Sequence, residues 1–226
     1  MTHKIADGVK AALPEVIGPA DSWEVTVGGN QGTIIGGRVP SVVIHGVNAH
    51  VTPEMTMTTL DIDARDISVD LRKRTVKSIG SVTFQGTLNQ AQLDRYLRLT
   101  DGADPNRPRQ LSVGLRRNDL LIGFRYAKYG VSVPVSVAGR LSISRAGSDK
   151  IDLNPTRTAV AKVPIPSSVV DYEMKQVNPV IDLSTMKFPV TLRDIHVADG
   201  QMVFAGKTEI TPDAIKVAQQ QAENAK

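Results

Sequence analysis

Histidines and clustered carboxylates are the residues of this chain best suited to proton transfer or metal binding. The four histidines are His3, His45, His50 and His196. His45 and His50 lie in β-like segments at an odd separation, so a regular strand points them to opposite faces. Neither a His-Glu-x-x-His nor a Gly-x-Ser-x-Gly pattern occurs. Asp61, Asp63, Asp66 and Asp70 form a dense acidic run. Asp61 and Asp63 share the polar face of a strand, where solvated charge belongs, and no glycine-centred loop with a closing Glu follows them. The segment from Gly32 to Val39 has the glycine spacing of a phosphate loop. Arg38 stands where that loop needs lysine, Val39 where it needs a hydroxyl, and Val27 where a dinucleotide fold needs its first glycine. The chain has no cysteine, which removes thiolate ligands and a thiol nucleophile. The expectation is a protein that is not an enzyme, with no catalytic residue, no metal site and no cofactor.

Charge gives a weaker signal. The formal net charge is +4 and aromatic residues are 4% of the chain, too little concentrated charge and too few stacking rings for a dedicated nucleic-acid binder. The densest basic run is Arg72, Lys73 and Arg74, with Lys77 beyond it, and a looser scatter follows at Arg107, Arg109, Arg116 and Arg117. Such runs suit solvated turns and strand edges, or a preference for anionic lipid headgroups.

The elements that would position these groups are mostly strands. Ile5, Val9, Leu13 and Val16 recur at helical spacing until Gly18-Pro19 ends the pattern. Further on, Leu60, Ile62 and Ala64 alternate with polar residues; the phase flips at Arg65-Asp66, and Ile67, Val69 and Leu71 resume it. A phase slip of one residue turns an apolar face outward unless a bulge or strand crossing re-aims it. The same event recurs where Phe188, Val190 and Leu192 give way at Arg193-Asp194 to Ile195 and Val197. Each flip precedes a strand with a Phe-x-Gly ending, at Phe84 and Phe204, and then a helix capped by Asn89 or opened by Thr211-Pro212. This ordered series predicts an internal strand–strand–helix repeat. Between the copies, Leu120, Ile122, Phe124 and Tyr126 share a face, and Val131, Val133, Val135, Val137, Leu141 and Ile143 hold another over one long strand. Pro134 falls on the opposite face and Gly139 interrupts the apolar one, positions that suit an edge, a bulge or a bend. A further helical stripe spans Pro166 to Val177, and the polar end from Thr211 to Lys226 is expected to fray.

In its order of segments the chain resembles the LmeA-like phospholipid-binding family of bacterial envelope proteins. The matching features are Gly37-Arg38-Val39-Pro40 before the Val42–His45 strand, the Leu60–Leu71 block with its Arg-Asp, and Ser81-Val82-Thr83-Phe84 before Asn89. The Val131–Leu141 strand, Ile151-Asp-Leu-Asn-Pro-Thr156 ahead of Val163-Pro164-Ile165-Pro166, and the closing Leu192–Val197 block complete it. The resemblance implies an α+β, mostly antiparallel β fold, an elongated and strongly curved sheet wrapped around one or more helices. One domain over 1–226 is expected, with an N-terminal helix at 1–19 and repeats at 23–127 and 128–226. The implied function is non-catalytic binding of phospholipid or another acyl-chain ligand in an apolar cavity, for lipid transfer or envelope maintenance. Leu60, Ile62, Ile67, Val69, Leu120, Ile122, Phe124, Val131, Val133, Val135, Val137, Leu141, Ile143, Phe188, Val190 and Leu192 are the expected lining. Arg72, Lys73, Arg74 and Lys77 are the expected contacts with a headgroup or an anionic membrane surface. The implied place is the cell envelope or periplasm, by export or anchoring, although this chain carries neither a signal segment nor an apolar run of membrane-spanning length. The alternative is a closed-core structural or protein-interaction scaffold of the cell envelope, in which the same aliphatic faces pack only against helices; a cytoplasmic location is the alternative to export.

Overall fold

The computed structural model describes residues 2–70, 75–101, 109–128, 131–145, 148–160, 172, 175 and 177–209. The fold is α+β and mostly antiparallel β, with one sheet curled strongly into a half-barrel. Helix α1 (Thr2–Val16) is followed by strand β1 (Ser22–Gly28), the short helix α2 (Gln31–Ile35), and strands β2 (Arg38–His50), β3 (Thr56–Asp70), β4 (Thr75–Ser78) and β5 (Ser81–Asn89). Helix α3 (Gln90–Asp101) leads to β6 (Arg109–Arg116), β7 (Asp119–Lys128), β8 (Val131–Ile143) and β9 (Lys150–Val160), then to β10 (Ile181–Asp182), β11 (Val190–Ala198) and β12 (Gln201–Thr208). One sheet runs β1-β2-β3-β5-β12-β11, with β4 paired to β3, and the other runs β10-β9-β8-β7-β6.

In the first sheet the pair β3-β5 is followed by β12-β11, so the two strands with Phe-x-Gly endings, β5 and β12, are neighbours, and the strands with the Arg-Asp flips, β3 and β11, lie outside them. Asn89 caps α3 as its sequence predicts: its Oδ1 accepts from the Gln92 amide at 2.9 Å, while Gln92 Oε1 accepts from the Asn89 amide at 3.3 Å. The helix expected from Thr211 lies outside the described residues. So does most of the Pro166–Val177 helix, of which Tyr172, Lys175 and Val177 are helical.

The first phase flip is a bend shared by two strands. Arg65 and Asp66 are both exposed and Ile67 is again buried; opposite them on β2, Pro40 and Ser41 turn outward between buried Val39 and Val42. The register does not slip across the bend, because Ser41 pairs with Arg65 and Val39 with Ile67. Asp66 takes a left-handed conformation (φ 55), a backbone state in which Asp is among the more tolerated non-glycine residues. Gly80 closes the bend by donating its amide to the Arg65 carbonyl at 3.1 Å. A β-carbon on Gly80 would lie 2.9 Å from that of Asp66. At the second flip, Arg193 and Asp194 are likewise both exposed and Val197 is buried, and the Ile195 amide donates to Asp194 Oδ1 at 2.9 Å.

The chain divides into two compact units. The first comprises residues 1–86, 185–191 and 205–226, the second 87–184 and 192–204. In the second, α3 supplies the fully buried Leu93 and Leu97, and the Tyr96 hydroxyl accepts from the Asp182 amide at 3.2 Å. Strand β8 spans Val131–Ile143, the long strand its alternation predicts. Among the described residues its pairing with β9 runs from Val135–Val160 to Ile143–Ile151, and its register shifts between Ala138 and Gly139. Gly139 meets the Asn154 carbonyl so closely that a β-carbon there would be 2.3 Å from the oxygen.

Candidate functional site

Helix α1 carries Ile5, Val9, Ala12 and Val16 on one stripe, and these side chains are only half-buried. The helix is fixed at its C-terminal end. There the amides of Ile17 and Gly18 return to the Leu13 carbonyl at 2.8 and 3.2 Å, and the His50 amide donates to the Pro19 carbonyl at 2.8 Å. A β-carbon on Gly18 would fall 1.9 Å from the His50 carbonyl oxygen, so only glycine allows the chain to approach β2 this closely. Lys187 Nζ adds a hydrogen bond to the Glu15 carbonyl at 2.9 Å. From this anchor α1 packs on β1, and its residues from Lys4 to Ile17 face Val39, Val42 and Ile44 of β2 and Ile62 to Asp70 of β3 across a cavity.

Between helix and strands is an apolar cavity of about 850 Å³, within the first unit. Val39, Val42 and Ile44 of β2 form one part of its wall, and Ile62, Ala64, Ile67 and Val69 of β3 another. Val76, Ile79 and Val82 complete the strand side. Among the described residues its lining includes two ionisable side chains, Lys4 and Asp70. Relative exposure along the inner face of β3 rises from 0% at Leu60 through 1% at Ile62 to 8% at Ala64 and Ile67, and Val69 is half-buried. The β2 wall does not share that trend, at 2% for Val39, 6% for Val42 and 7% for Ile44. The lining side chains Ile5, Val9, Val69, Val76 and Ile79 are half-buried while Leu13 and Ile17 are buried. The cavity is therefore sealed at the Leu13–Ile17 end of α1 and opens at the end where Ile5, Val69 and Asp70 lie. The bend at Asp66 makes this wall continuous, because without it Ile67 and Val69 would face out.

Gly8 belongs to the lining, and a β-carbon built on it meets nothing within 4 Å. Glycine in a helix interior costs about 0.5–1 kcal/mol relative to alanine, and Gly8 is exposed at the cavity's edge with room for a larger side chain. At the open end Lys77 Nζ lies 3.7 Å from Asp70 Oδ2.

Of the side chains expected from sequence to line a cavity, Ile62, Ile67 and Val69 meet around this one. Leu60 is fully buried on the same strand face. Leu120, Ile122, Phe124, Val135 and Val137 are packed in the second unit, with exposures between 0% and 4%. Val133, Leu141 and Ile143 are half-buried there; Val131 begins β8, and its side chain lies outside the described set. Phe188 and Val190 are buried in the first unit and Leu192 in the second. Of the basic run, Lys77 is exposed near the cavity's open end, and Arg72, Lys73 and Arg74 lie outside the described residues. Sequence periodicity marks α1 as amphipathic but does not distinguish a stripe packed on a sheet from one facing a cavity. The available signal is Gly8, a poor helix former on the apolar side of a helix that also contains Pro14.

The polar residues singled out by chemistry sit elsewhere. His45 Nδ1 is 2.6 Å from Asp61 Oδ1, an ion-pair geometry between adjacent strands at positions that alternate away from the cavity wall. His50 Nδ1 is 3.0 Å from Thr56 Oγ1. Asp63 binds Arg65 and holds its guanidinium pKa above the usual value, through a side-chain hydrogen bond first and charge second. Among the described residues no cluster of His, Asp and Glu could hold a metal ion.

An aliphatic cavity with charge confined to its rim suits a binder of amphiphiles. The model of the LmeA-like phospholipid-binding family matches residues 1–207, and the chain belongs to that family. Phospholipid binding in general follows from that membership. No curated protein and no solved structure matches the chain. Among the described residues, no helix is long and apolar enough to cross a membrane.

Proposed function

We propose that the chain binds phospholipid, or another acyl-chain ligand, without catalysis in the cavity between α1 and the β2–β3 wall. The acyl chain lies against Ile5, Gly8 and Val9 on one side and Ile62, Ile67 and Val69 on the other. The headgroup remains at the open end, near Lys4, Thr75 and the Asp70–Lys77 pair. The observation that carries this reading is a cavity of about 850 Å³ lined almost wholly by aliphatic side chains.

Each methylene taken from water into such a cavity gains about 0.8 kcal/mol. Ten of them supply about 8 kcal/mol before ordering costs, the scale of a micromolar complex. A lipid leaving a bilayer gains far less, because its chains are already dry. Exchange between bilayer and cavity is then close to balanced on this contribution, as transfer or maintenance of envelope lipids requires. With two ionisable groups among the described residues of the lining, specificity would come from headgroup contacts at the mouth.

Native mass spectrometry of protein purified in mild detergent tests this. Adducts with phospholipid masses, displaced by a fluorescent fatty acid, are expected. A detergent-stripped protein that takes up neither phospholipid nor fatty acid would overturn the proposal and favour a closed-core scaffold of the envelope.

A further inference from the structure

Among the described residues the most exposed large apolar side chain is Ile35, at 64%. It closes α2, a turn secured on every side. Asn30 Oδ1 accepts from the Thr33 amide at 2.9 Å, and Thr33 Oγ1 donates to the Asn30 carbonyl at 2.8 Å. The amides of Gly36 and Gly37 return to the carbonyls of Gly32 and Ile34 at 3.1 and 3.0 Å. Ile34 is fully buried and anchors the turn in the core. Gly37, at φ 77, accepts from the Val69 amide at 2.8 Å. A β-carbon on Gly37 would lie 2.7 Å from the Val69 carbonyl oxygen, so the turn is fastened to β3 where that strand lines the cavity.

The turn therefore stands on the cavity's rim. Immediately after it come Arg38, exposed, and Val39, part of the lining. Lys4, also exposed, belongs to the same cavity's edge on α1. A single exposed apolar residue is ordinary on a protein surface. One held out by a capped, glycine-closed turn, with Arg38, Lys4 and the Asp70–Lys77 pair around the mouth of an aliphatic cavity, calls for a partner that is apolar inside and anionic outside.

The geometry points to α2 as a membrane-docking turn: Ile35 enters the acyl region of an anionic bilayer while Arg38 and Lys4 meet its headgroups, bringing the open end of the cavity onto the leaflet. This rests on the lipid-binding reading above for the cavity's cargo. The charge of the rim and its continuity with the cavity select a bilayer over a protein surface.

The test compares wild type with Ile35→Glu, Arg38→Gln and, as a control on the outer face of β2, Val43→Glu. Binding to anionic phosphatidylglycerol/phosphatidylcholine vesicles and to uncharged phosphatidylcholine vesicles is measured by flotation, and co-purified lipid by native mass spectrometry. Ile35→Glu should weaken vesicle binding by about tenfold or more, the scale of burying one aliphatic side chain, while lipid content and Tm stay at wild-type values. Arg38→Gln should weaken it only at low salt and only on anionic vesicles. Undiminished binding by Ile35→Glu, or an equal loss with Val43→Glu, overturns the proposal. Wild-type protein that carries lipid yet ignores vesicles of both compositions also overturns it and leaves the cavity reading intact. Wild-type protein without lipid that still needs Ile35 for vesicle binding upholds docking and counts against the cavity.

Discussion

In the first unit, exposure along the inner face of β3 climbs from 0% at Leu60 to 8% at Ile67. In the second, the centres of the inner faces of β7 and β8 are packed, with Leu120, Ile122 and Val137 at 0%, while Val133, Leu141 and Ile143 towards the ends of β8 are half-buried. Both faces are built from the same aliphatic residue types at the same alternation. What differs is the covering helix. Helix α3 seats Leu93 and Leu97 fully in its core, whereas α1 leaves Ile5 and Val9 half-buried and places Gly8 where a larger side chain would fill the gap. Whether an aliphatic face becomes core or cavity is therefore decided by its partner element, through the size of a few side chains.

Exchanging large for small in one unit and small for large in the other should separate the two most sharply. Phe124→Ala in the second unit removes a side chain exposed by only 4% and is expected to cost about 3–5 kcal/mol, read as a lowered urea midpoint. Gly8→Phe in the first unit should do the reverse. It replaces a poor helix former, so Tm should hold or rise, with up to about 1 kcal/mol gained from propensity. The ring enters the cavity, and phospholipid adducts in native mass spectrometry should fall below a tenth of wild type. A Gly8→Phe protein that keeps its lipid would place the ligand elsewhere and dissolve the contrast.

Much of this architecture is legible in the sequence because strand alternation has a short, rigid period. The β8 span, the Asn89 cap and both Arg-Asp flips follow from local spacing and side-chain chemistry. The paired bend is less legible, since Pro40-Ser41 becomes its counterpart only when β2 lies beside β3. The candidate site is harder still. Alternation shows that Ile62 and Ile122 each sit on an apolar face, but the space in front of each depends on a helix distant in sequence. Lys4 and Val39 meet around one cavity although 35 positions separate them, and no local pattern joins them.

The bend at Asp66 tests whether the open wall depends on backbone geometry. Asp66→Gly should be neutral or stabilise by up to about 1 kcal/mol, because glycine adopts the left-handed conformation without steric cost. Asp66→Val should destabilise by about 1–2 kcal/mol and weaken lipid binding, since a β-branched residue resists that conformation. Equal urea midpoints and equal lipid uptake for the two variants would separate the cavity wall from the bend.

The smallest expected effect belongs to the second unit, at the pair formed by Lys150 Nζ and Asp182 Oδ2, 3.1 Å apart. Partial burial pushes the Asp182 carboxyl up, but hydrogen bonds from the Ser184 hydroxyl and amide, together with Lys150, outweigh it, and the net direction is down. A carboxyl depressed in the folded state contributes stability above its unfolded pKa, about 3.9, and loses it as pH falls through the folded value. Asp182→Asn keeps an oxygen that can accept from the Ser184 amide and removes the charge. Its stability deficit near neutral pH should stay below about 1 kcal/mol, because the pair is part-exposed, and should close under acid. Urea midpoints of both proteins from pH 7 down to about pH 3 follow that closing. A deficit that holds constant through this range would assign the effect to packing around β10, and the second unit would then owe its closed core to side-chain fit alone.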